Sequence, residues 1–502
     1  MSLNTIKTDS ELSEIADLLY KSLKENNDVG VARYIRVSEN IVSFLDGRIV
    51  IDARSSATNI NKELMKRNVY FQRDIDDVTS TNIKEAVIHR DLDRGIRFTF
   101  KHKGIPLPTT ERIYPSKLPT EIDVYDEELK DFSKSQKDTR TSRGFFVEQK
   151  VIVNSEGGKV VQTTPLFNVT FDNGYLPVPT SRTIRLVCET DQDVKSMVKA
   201  IKYISDPTPD KRVKKSKSFS EAFGELLRVS ELHNRCLSIP QQQLYDVVVI
   251  SGIPVHEIFG HHFEEPIGNI KFGESSAFKF NQKFNDKIIM KDDPSLKLEG
   301  LRVLGFTNID AYGRERKPRT HIEDGYVKEL LGSEYGDPLE LGEYFGLKND
   351  VSMNFVGNAS QSFDGVFPQT RMSCTFLDGP AEDVEMEGKI VIVPIGGSTD
   401  YSKKDYELKI FESYLVKDGE PKRIVTPLKV TGGIIQAFAN INLLDDVTYE
   451  CGACQKPNPI QGYPSKPYGE ALVSQLTKSQ LWKQQQVFTS PISEQHTKVL
   501  TN

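Results

Sequence analysis

Cysteine is scarce in this chain of 502 residues: there are five, Cys188, Cys236, Cys374, Cys451 and Cys454. Few, odd in number and scattered, they do not form the framework of a disulfide-stapled domain, so reduced thiols are available for other chemistry. An excess of positive charge is also missing. Lys plus Arg number 65 against 71 Asp plus Glu, a formal net charge of -6, which argues against a phosphate-backbone footprint and against nucleic acid as a partner. The densest basic stretch, DKRVKKSK at 210–217, follows Asp206-Pro207-Thr208-Pro209 and reads as a solvated linker at a boundary. No run approaches the roughly 18 consecutive apolar residues of a membrane span, and MSLNTIKTDSE at the start lacks the apolar core of a signal peptide. The expectation is a cytoplasmic protein without a membrane partner.

What the chain does have is material for a folded core, with 37% apolar and 27% charged residues. Its length exceeds that of a single hydrophobic core, so two or three cooperating domains are expected. Thr8 and Glu11 have capping-box spacing, and Leu12, Ile15, Leu19 and Leu23 recur at helical intervals. Short β-branched runs follow at 31–37, 40–45 and 48–53, with Asp46-Gly47 as a hairpin turn. A second block carries a long hairpin pattern, 145–153 and 159–171 around Asn154–Gly158, and then two amphipathic helices, one marked by Val194 to Ile204 and one starting at Phe219. From Asp246 onward the chain is rich in strand signals, including 247–250, 302–310, 389–395 and 423–433. The predicted class is α+β. Residues 1–112 make an N-terminal α+β domain, 113–218 a middle α+β domain with the long hairpin, and 219–502 a β-rich C-terminal domain with one motif-bearing helix.

Histidine is rare, eight in all, yet three fall together in HEIFGHHFEE at 256–265. A buried strand precedes them, and Pro254 suits the first turn of a helix. Imidazole is the commonest nitrogen donor for zinc, and a neighbouring carboxylate can take a proton from metal-bound water, the logic of His-Glu-x-x-His motifs. Here the histidines are one residue further apart. On an ideal helix, five residues turn about 500°, leaving His256 and His261 about 140° apart and unable to share a metal. A π-bulge or local unwinding at Gly260 would bring them together. His262 reads as a packed residue. A catalytic zinc has three protein ligands plus water, so a third is required, with Glu264, Cys451 and Cys454 as candidates.

The stretch HEIFGHHFEE together with Cys451-Gly452 resembles the TldD/PmbA family of metallopeptidases, whose catalytic members carry His-Glu-x-x-x-His followed by Leu-Glu, and a late Cys-Gly. Further similarity lies in KDDPS at 291–295 through NID at 308–310, in PQTRMSCT at 368–375 and in SYLVKDGE at 413–420. The resemblance covers the C-terminal half; the N-terminal half shares only its strand and helix pattern. Where the family often has Gly-Lys after the cysteine, this chain has Gly452-Ala453-Cys454, and GNASQSF at 357–363 has no arginine.

The resemblance implies His256, His261 and Cys451 as ligands of one zinc per subunit, and Glu257 as general base. Glu264 is a candidate to orient a ligand imidazole from behind, and Arg371 and Gly397 are candidate neighbours of the site or substrate contacts. Family members form dimers around an enclosed space, so a homodimer, or a heterodimer with an inactive paralogue, is expected. The expected activity is zinc-dependent hydrolysis of unfolded or short polypeptides by a water that Glu257 activates. Two alternatives remain: a structural Cys2His2 zinc site made by Cys451, Cys454 and both histidines in a binding protein, and a zinc amidase of small molecules. A thiol–disulfide reading of Cys451 to Cys454 lacks a thioredoxin-like βαβ pattern nearby.

Overall fold

In the computed structural model, the described residues are 6–25, 29–75, 96–97, 102–114, 117–173, 180–207, 211–231, 242–265, 276–336, 344–346, 355–361, 367–424, 427–457 and 468–489. Cys236 lies outside them. The capping box at Thr8 is formed: the Thr8 N–H donates to Glu11 Oε2 at 2.7 Å, and the Glu11 N–H donates to Thr8 Oγ1 at 3.3 Å. It opens α1 (Asp9–Glu25), whose Leu12, Ile15, Leu19 and Leu23 are buried. That apolar stripe packs on Ala32, Tyr34, Ile60, Val151 and Val153 of the strands beneath it.

Those strands are longer than the sequence pattern suggested. Residues 31–37 and 40–45 are one strand, β1 (Gly30–Leu45), which turns at Asp46 and Gly47, both at positive φ, into β2 (Arg48–Leu64). The polar residues Ser38 to Asn40 do not break β1, because it lies between two partners and its backbone groups are paired on both sides. After β3 (Val69–Ile75) comes the long hairpin, β4 (Arg140–Asn154) and β5 (Lys159–Asn173). The turn between them is held by Asn154 Oδ1, which accepts the N–H groups of Glu156 and Gly158, each at 3.0 Å. β6 (Thr180–Val187) follows. These six join, in the order β6-β5-β4-β1-β2-β3, a sheet of ten strands among the described residues. The sheet runs across residue 112, and it recruits Lys297–Leu298 and Leu301–Val303 at its β6 edge. Helices α2 (Asp126–Ser135) and α3 (Phe219–Glu231) cover it, with Phe132, Phe171, Phe219 and Phe223 in ring contact.

The second sheet has eleven strands among the described residues. Its principal members are β7 (Gln242–Val249), β8 (Cys374–Asp378), β9 (Ile390–Asp400), β10 (Asp405–Lys417), β11 (Leu428–Gly433), β12 (Ile441–Pro457) and β13 (Tyr468–Thr489). β7 pairs in parallel with β9 and antiparallel with β13, so β13-β11-β10-β9-β7 closes into a ring of five strands. Its interior side chains, among them Val247, Val249, Leu408, Ile410, Val430 and Trp482, belong to one buried cluster with Val255, Ile258, Phe259 and Phe263 of the segment that carries the histidines. The two sheets meet through named contacts. Arg182 Nη2 pairs with Glu412 Oε2 at 2.8 Å, and Tyr449 Oη donates to Arg185 O at 2.6 Å. The basic stretch at 211–217 is not a free linker, since Lys214 pairs with Asp446 and donates to Val447 O at 2.9 Å. No helix among the described residues is long and apolar enough to cross a membrane.

Candidate metal centre

The chain leaves β7 at Val249, turns at Ser251 and Gly252, and enters a short helix at Ile253-Pro254. From Val255 to Phe259 the helix widens into a π turn, and from Gly260 to Phe263 it tightens to a 3-10 turn. The Gly260 N–H reaches both Val255 O and His256 O, closing the wide turn. A Cβ at Gly260 would lie 2.3 Å from Met372 Sδ, so a larger residue there would displace that side chain. The widening takes up the extra residue between the histidines: the rings of His256 and His261 lie 4.7 Å apart, centroid to centroid. The irregularity expected from the spacing is therefore present.

Four side chains converge here. One ligand atom from each of His256, Glu257, His261 and Cys454 lies within 4.8 Å of the others. Cys454 Sγ is 3.4 Å from His261 Nε2, and the Glu257 carboxylate is 3.7 Å from His256 Nε2 and 3.8 Å from His261 Nε2. His256 is 2% exposed, and neither of its ring nitrogens has a hydrogen-bond partner among the described residues. Leaving a buried imidazole so costs about 1–3 kcal/mol, and a cation ligated there would remove that cost. Two imidazoles, a thiol and a carboxylate are donors suited to zinc. The residues fit a metal.

Cys451, the ligand expected from the Cys-Gly match, is not part of this group. Residues 451 and 454 lie on one strand, β12, at an odd spacing, so their side chains leave opposite faces. Cys451 Sγ faces the first sheet and donates to Thr183 O at 3.7 Å. The structure thus brings Cys454 to the histidines in place of Cys451, and for the same reason no Cys2His2 set is assembled. The two thiols also differ in protonation. Burial alone would raise Cys454, but the charge of His261, its hydrogen bond to the sulfur and the neighbouring His256 ring pull it well below the ordinary thiol range. Burial alone would lower His261, but Glu264 and Cys454 outweigh it and hold the ring protonated in the absence of a cation.

Glu264 stands where an orienting partner is needed. Its Oε2 is 2.9 Å from His261 Nδ1, and its Oε1 accepts the Met372 N–H at 2.9 Å. That contact fixes the ring and leaves Nε2 facing Cys454 and Glu257. Arg371 is 2% exposed, and its Nη2 donates to Cys454 O at 2.6 Å. Its Nε and Nη1 have no hydrogen-bond partner among the described residues. Gly397 on β9 lies beside Glu257, where an added Cβ would sit 3.2 Å from Glu257 Cβ. His262 is the packed residue its position suggested: its Nδ1 accepts the Ala277 N–H at 3.2 Å, and burial drives its pKa down to about 3.

Sequence reasoning missed Glu450. Its Oε2 accepts from Ser251 Oγ at 2.5 Å and from the N–H groups of Gly252 and Ile253 at 3.0 and 3.1 Å, at the start of the motif helix. No local signal marks it, since it lies 199 positions from Ser251.

Comparison with known proteins agrees with this geometry. Residues 247–462 match the family model described as the PmbA/TldA metallopeptidase C-terminal domain. A protein of Archaeoglobus fulgidus named metalloprotease is 26% identical over 220 residues, 42% of this chain and 47% of that protein. The chain therefore spans about half the length of that curated relative. Among solved structures, TldE from Thermococcus kodakarensis aligns over 94% of this chain and 99% of its own, at 12% identity and a TM-score of 0.62. A Bacteroides thetaiotaomicron protein described as a candidate modulator of DNA gyrase aligns over 97% and 100%, at 12% identity and a TM-score of 0.63. One of the same description from Thermotoga maritima aligns over 95% and 99%, at 15% identity and a TM-score of 0.59. At these identities the structural likeness establishes the fold alone, and it extends to the N-terminal half, which the family model does not reach. Residues 247–462 are thus similar in sequence to the PmbA/TldA metallopeptidase C-terminal domain, and the chain as a whole shares the fold of these solved structures.

Proposed function

We propose that the chain is a zinc peptidase acting on unfolded or short polypeptides, with one zinc held by His256, His261 and Cys454 and with Glu257 as general base. The observation that carries the reading is the convergence of four donor side chains on a buried imidazole that lacks a hydrogen-bond partner. When bound, the metal supplies a Lewis acid for the scissile carbonyl and makes water a better acid at neutral pH.

The protein's own groups do the rest. Glu257 is 29% exposed on its side chain and the least buried of the four, placed to take a proton from the attacking water and return it to the leaving amine. Glu264 holds the His261 ring in one orientation, and Arg371 holds the backbone of Cys454. Two imidazoles and a thiolate would leave a zinc site at net +1, a weaker Lewis acid than an all-histidine site, which makes a strong adjacent base matter more. The edge of β9 beyond Ile392 no longer pairs with β7, and Ile395 there is 55% exposed. An extended peptide lying along this edge would pass Gly397 and Glu257, held by main-chain hydrogen bonds with little sequence preference. A folded substrate must first open locally, which lowers its competent fraction about tenfold per 1.4 kcal/mol. The chain is proposed to work as a dimer, with a second copy or an inactive paralogue, and light scattering of the chain alone should give twice 56.7 kDa in the first case.

The experiment pairs a permanently unfolded substrate with a stable folded one. Wild type should cleave the first and spare the second, while Glu257→Gln should keep about one zinc per chain and lose about 10²–10⁴ in kcat. If Glu257→Gln instead loses the metal, Glu257 is a ligand and the site is a closed, structural one. If small amides are cleaved and peptides are not, the amidase reading holds.

A further inference from the structure

The same strand face that presents Cys454 also presents Glu450, because the two are four residues apart on β12. Cys454 meets the motif helix at His261, in its last turn, and Glu450 meets it before its first turn. There the Glu450 carboxylate accepts three donors through one oxygen: Ser251 Oγ, the Gly252 N–H and the Ile253 N–H. Ser251 Oγ in turn accepts the Ile253 N–H at 3.1 Å, so the entry to the helix is a closed set of hydrogen bonds. Gly252 is also stopped on the side of β13, where a Cβ would fall 2.2 Å from Gln475 Cβ, and Gln475 is the cross-strand partner of Glu450. The helix start therefore has little freedom either to slide or to tilt.

This matters because the helix is not a regular one. A π turn carries no strong preference of its own for a single geometry, and the distance between His256 and His261 depends on where the wide turn sits. Fixing both ends of the segment against one strand fixes that position. We propose that Glu450 is a positioning residue of the metal centre: it pins the first turn of the motif helix to the strand that supplies the thiolate, so that one strand sets both the imidazole pair and the sulfur. The inference rests on the metal-centre reading above, and it adds to that reading a carboxylate that touches neither metal nor substrate.

Reach and charge can be separated. Glu450→Gln keeps the length of the arm and an oxygen acceptor for the two backbone N–H groups, whereas Glu450→Asp keeps the charge but shortens the arm by one methylene. Positioning by geometry predicts that the full-length Glu450→Gln chain binds zinc within about threefold of wild type. It predicts that Glu450→Asp binds zinc about 10–100-fold more weakly, the range typical of lost support behind metal ligands. The cobalt-substituted proteins report geometry directly: the visible absorption bands of Glu450→Gln should overlay those of wild type, and those of Glu450→Asp should shift and weaken. Unfolding of each metal-free variant, followed alongside, separates this from a general loss of stability. If Glu450→Asp has wild-type zinc affinity and a wild-type cobalt spectrum, the positioning role is overturned while the metal centre stands. If Glu450→Gln is as impaired as Glu450→Asp, charge and not reach is what matters, and the role is again overturned. A wild-type chain that binds neither zinc nor cobalt would instead remove the metal centre itself.

Discussion

Cys451 and Cys454 are three residues apart on one strand, and the protein treats them as different chemical groups. Cys451 faces the first sheet, within a cluster that includes Leu166, Val187 and Leu304, and burial pushes its thiol up despite Arg185 nearby. Cys454 faces the motif helix, where His261 and His256 pull its thiol down. On one face, then, sulfur is an apolar filler; on the other it is an anion poised for a cation. The difference teaches that reactivity here is a property of the strand face and not of the Cys-x-x-Cys spacing.

The sharpest way to break this comparison is to replace each thiol by a hydroxyl. Cys454→Ser should weaken zinc binding by at least about a hundredfold, since it removes one of the three ligands of the proposed site. Cys451→Ser should leave affinity within about threefold. A competition titration against a chromophoric chelator measures both, and equal losses would return Cys451 to the site.

A smaller effect is expected when the metal is removed from the wild-type chain. Ligand that binds only the folded state stabilises it by about 4 kcal/mol at a free concentration a thousand times the dissociation constant. A strong chelator should therefore lower the thermal midpoint of wild type and of Cys451→Ser, and leave that of Cys454→Ser nearly unmoved. Differential scanning calorimetry shows which face the metal stabilises.

The smallest effect belongs to the filler face. In metal-free protein, Cys451→Ser should cost about 1 kcal/mol through lost apolar packing and a new buried hydroxyl. Urea unfolding followed by tryptophan fluorescence reports it, because the single tryptophan, Trp482, is fully buried on β13, the strand that pairs with β12. No change would mean that this face tolerates a polar group and that the contrast between the two thiols lies in the metal alone.

Much of the N-terminal half was legible because its signals are local. The capping box at Thr8, the turn at Asp46-Gly47 and the Asn154–Gly158 hairpin each depend on residues within a few positions of one another. The motif was legible for the same reason: the five-residue spacing of His256 and His261, with Gly260 between them, required a departure from a regular helix, and the π turn supplies it. Strand 302–310 was not legible in the same way. Only Leu301–Val303 is extended, and it pairs with β6 of the other sheet, a choice set by a partner more than a hundred residues away.

By itself, the sequence determined the α+β class, the helix that bears the histidines, the need for a wide turn in it, and a donor set suited to a metal, because each follows from residue type and short-range spacing. Only the tertiary structure decided which cysteine joins the histidines, that the Met372 N–H steadies the Glu264 carboxylate behind His261, and that Glu450 grips the start of the motif helix. Those three depend on which face of β12 and which loop near Met372 come to rest against the helix, and the contacts that decide it join residues 108 to 199 positions apart in the chain. A period-two strand sends Cys451 and Cys454 to opposite sides whatever the order of the residues between them, and only the packing of the two sheets says which side holds the histidines.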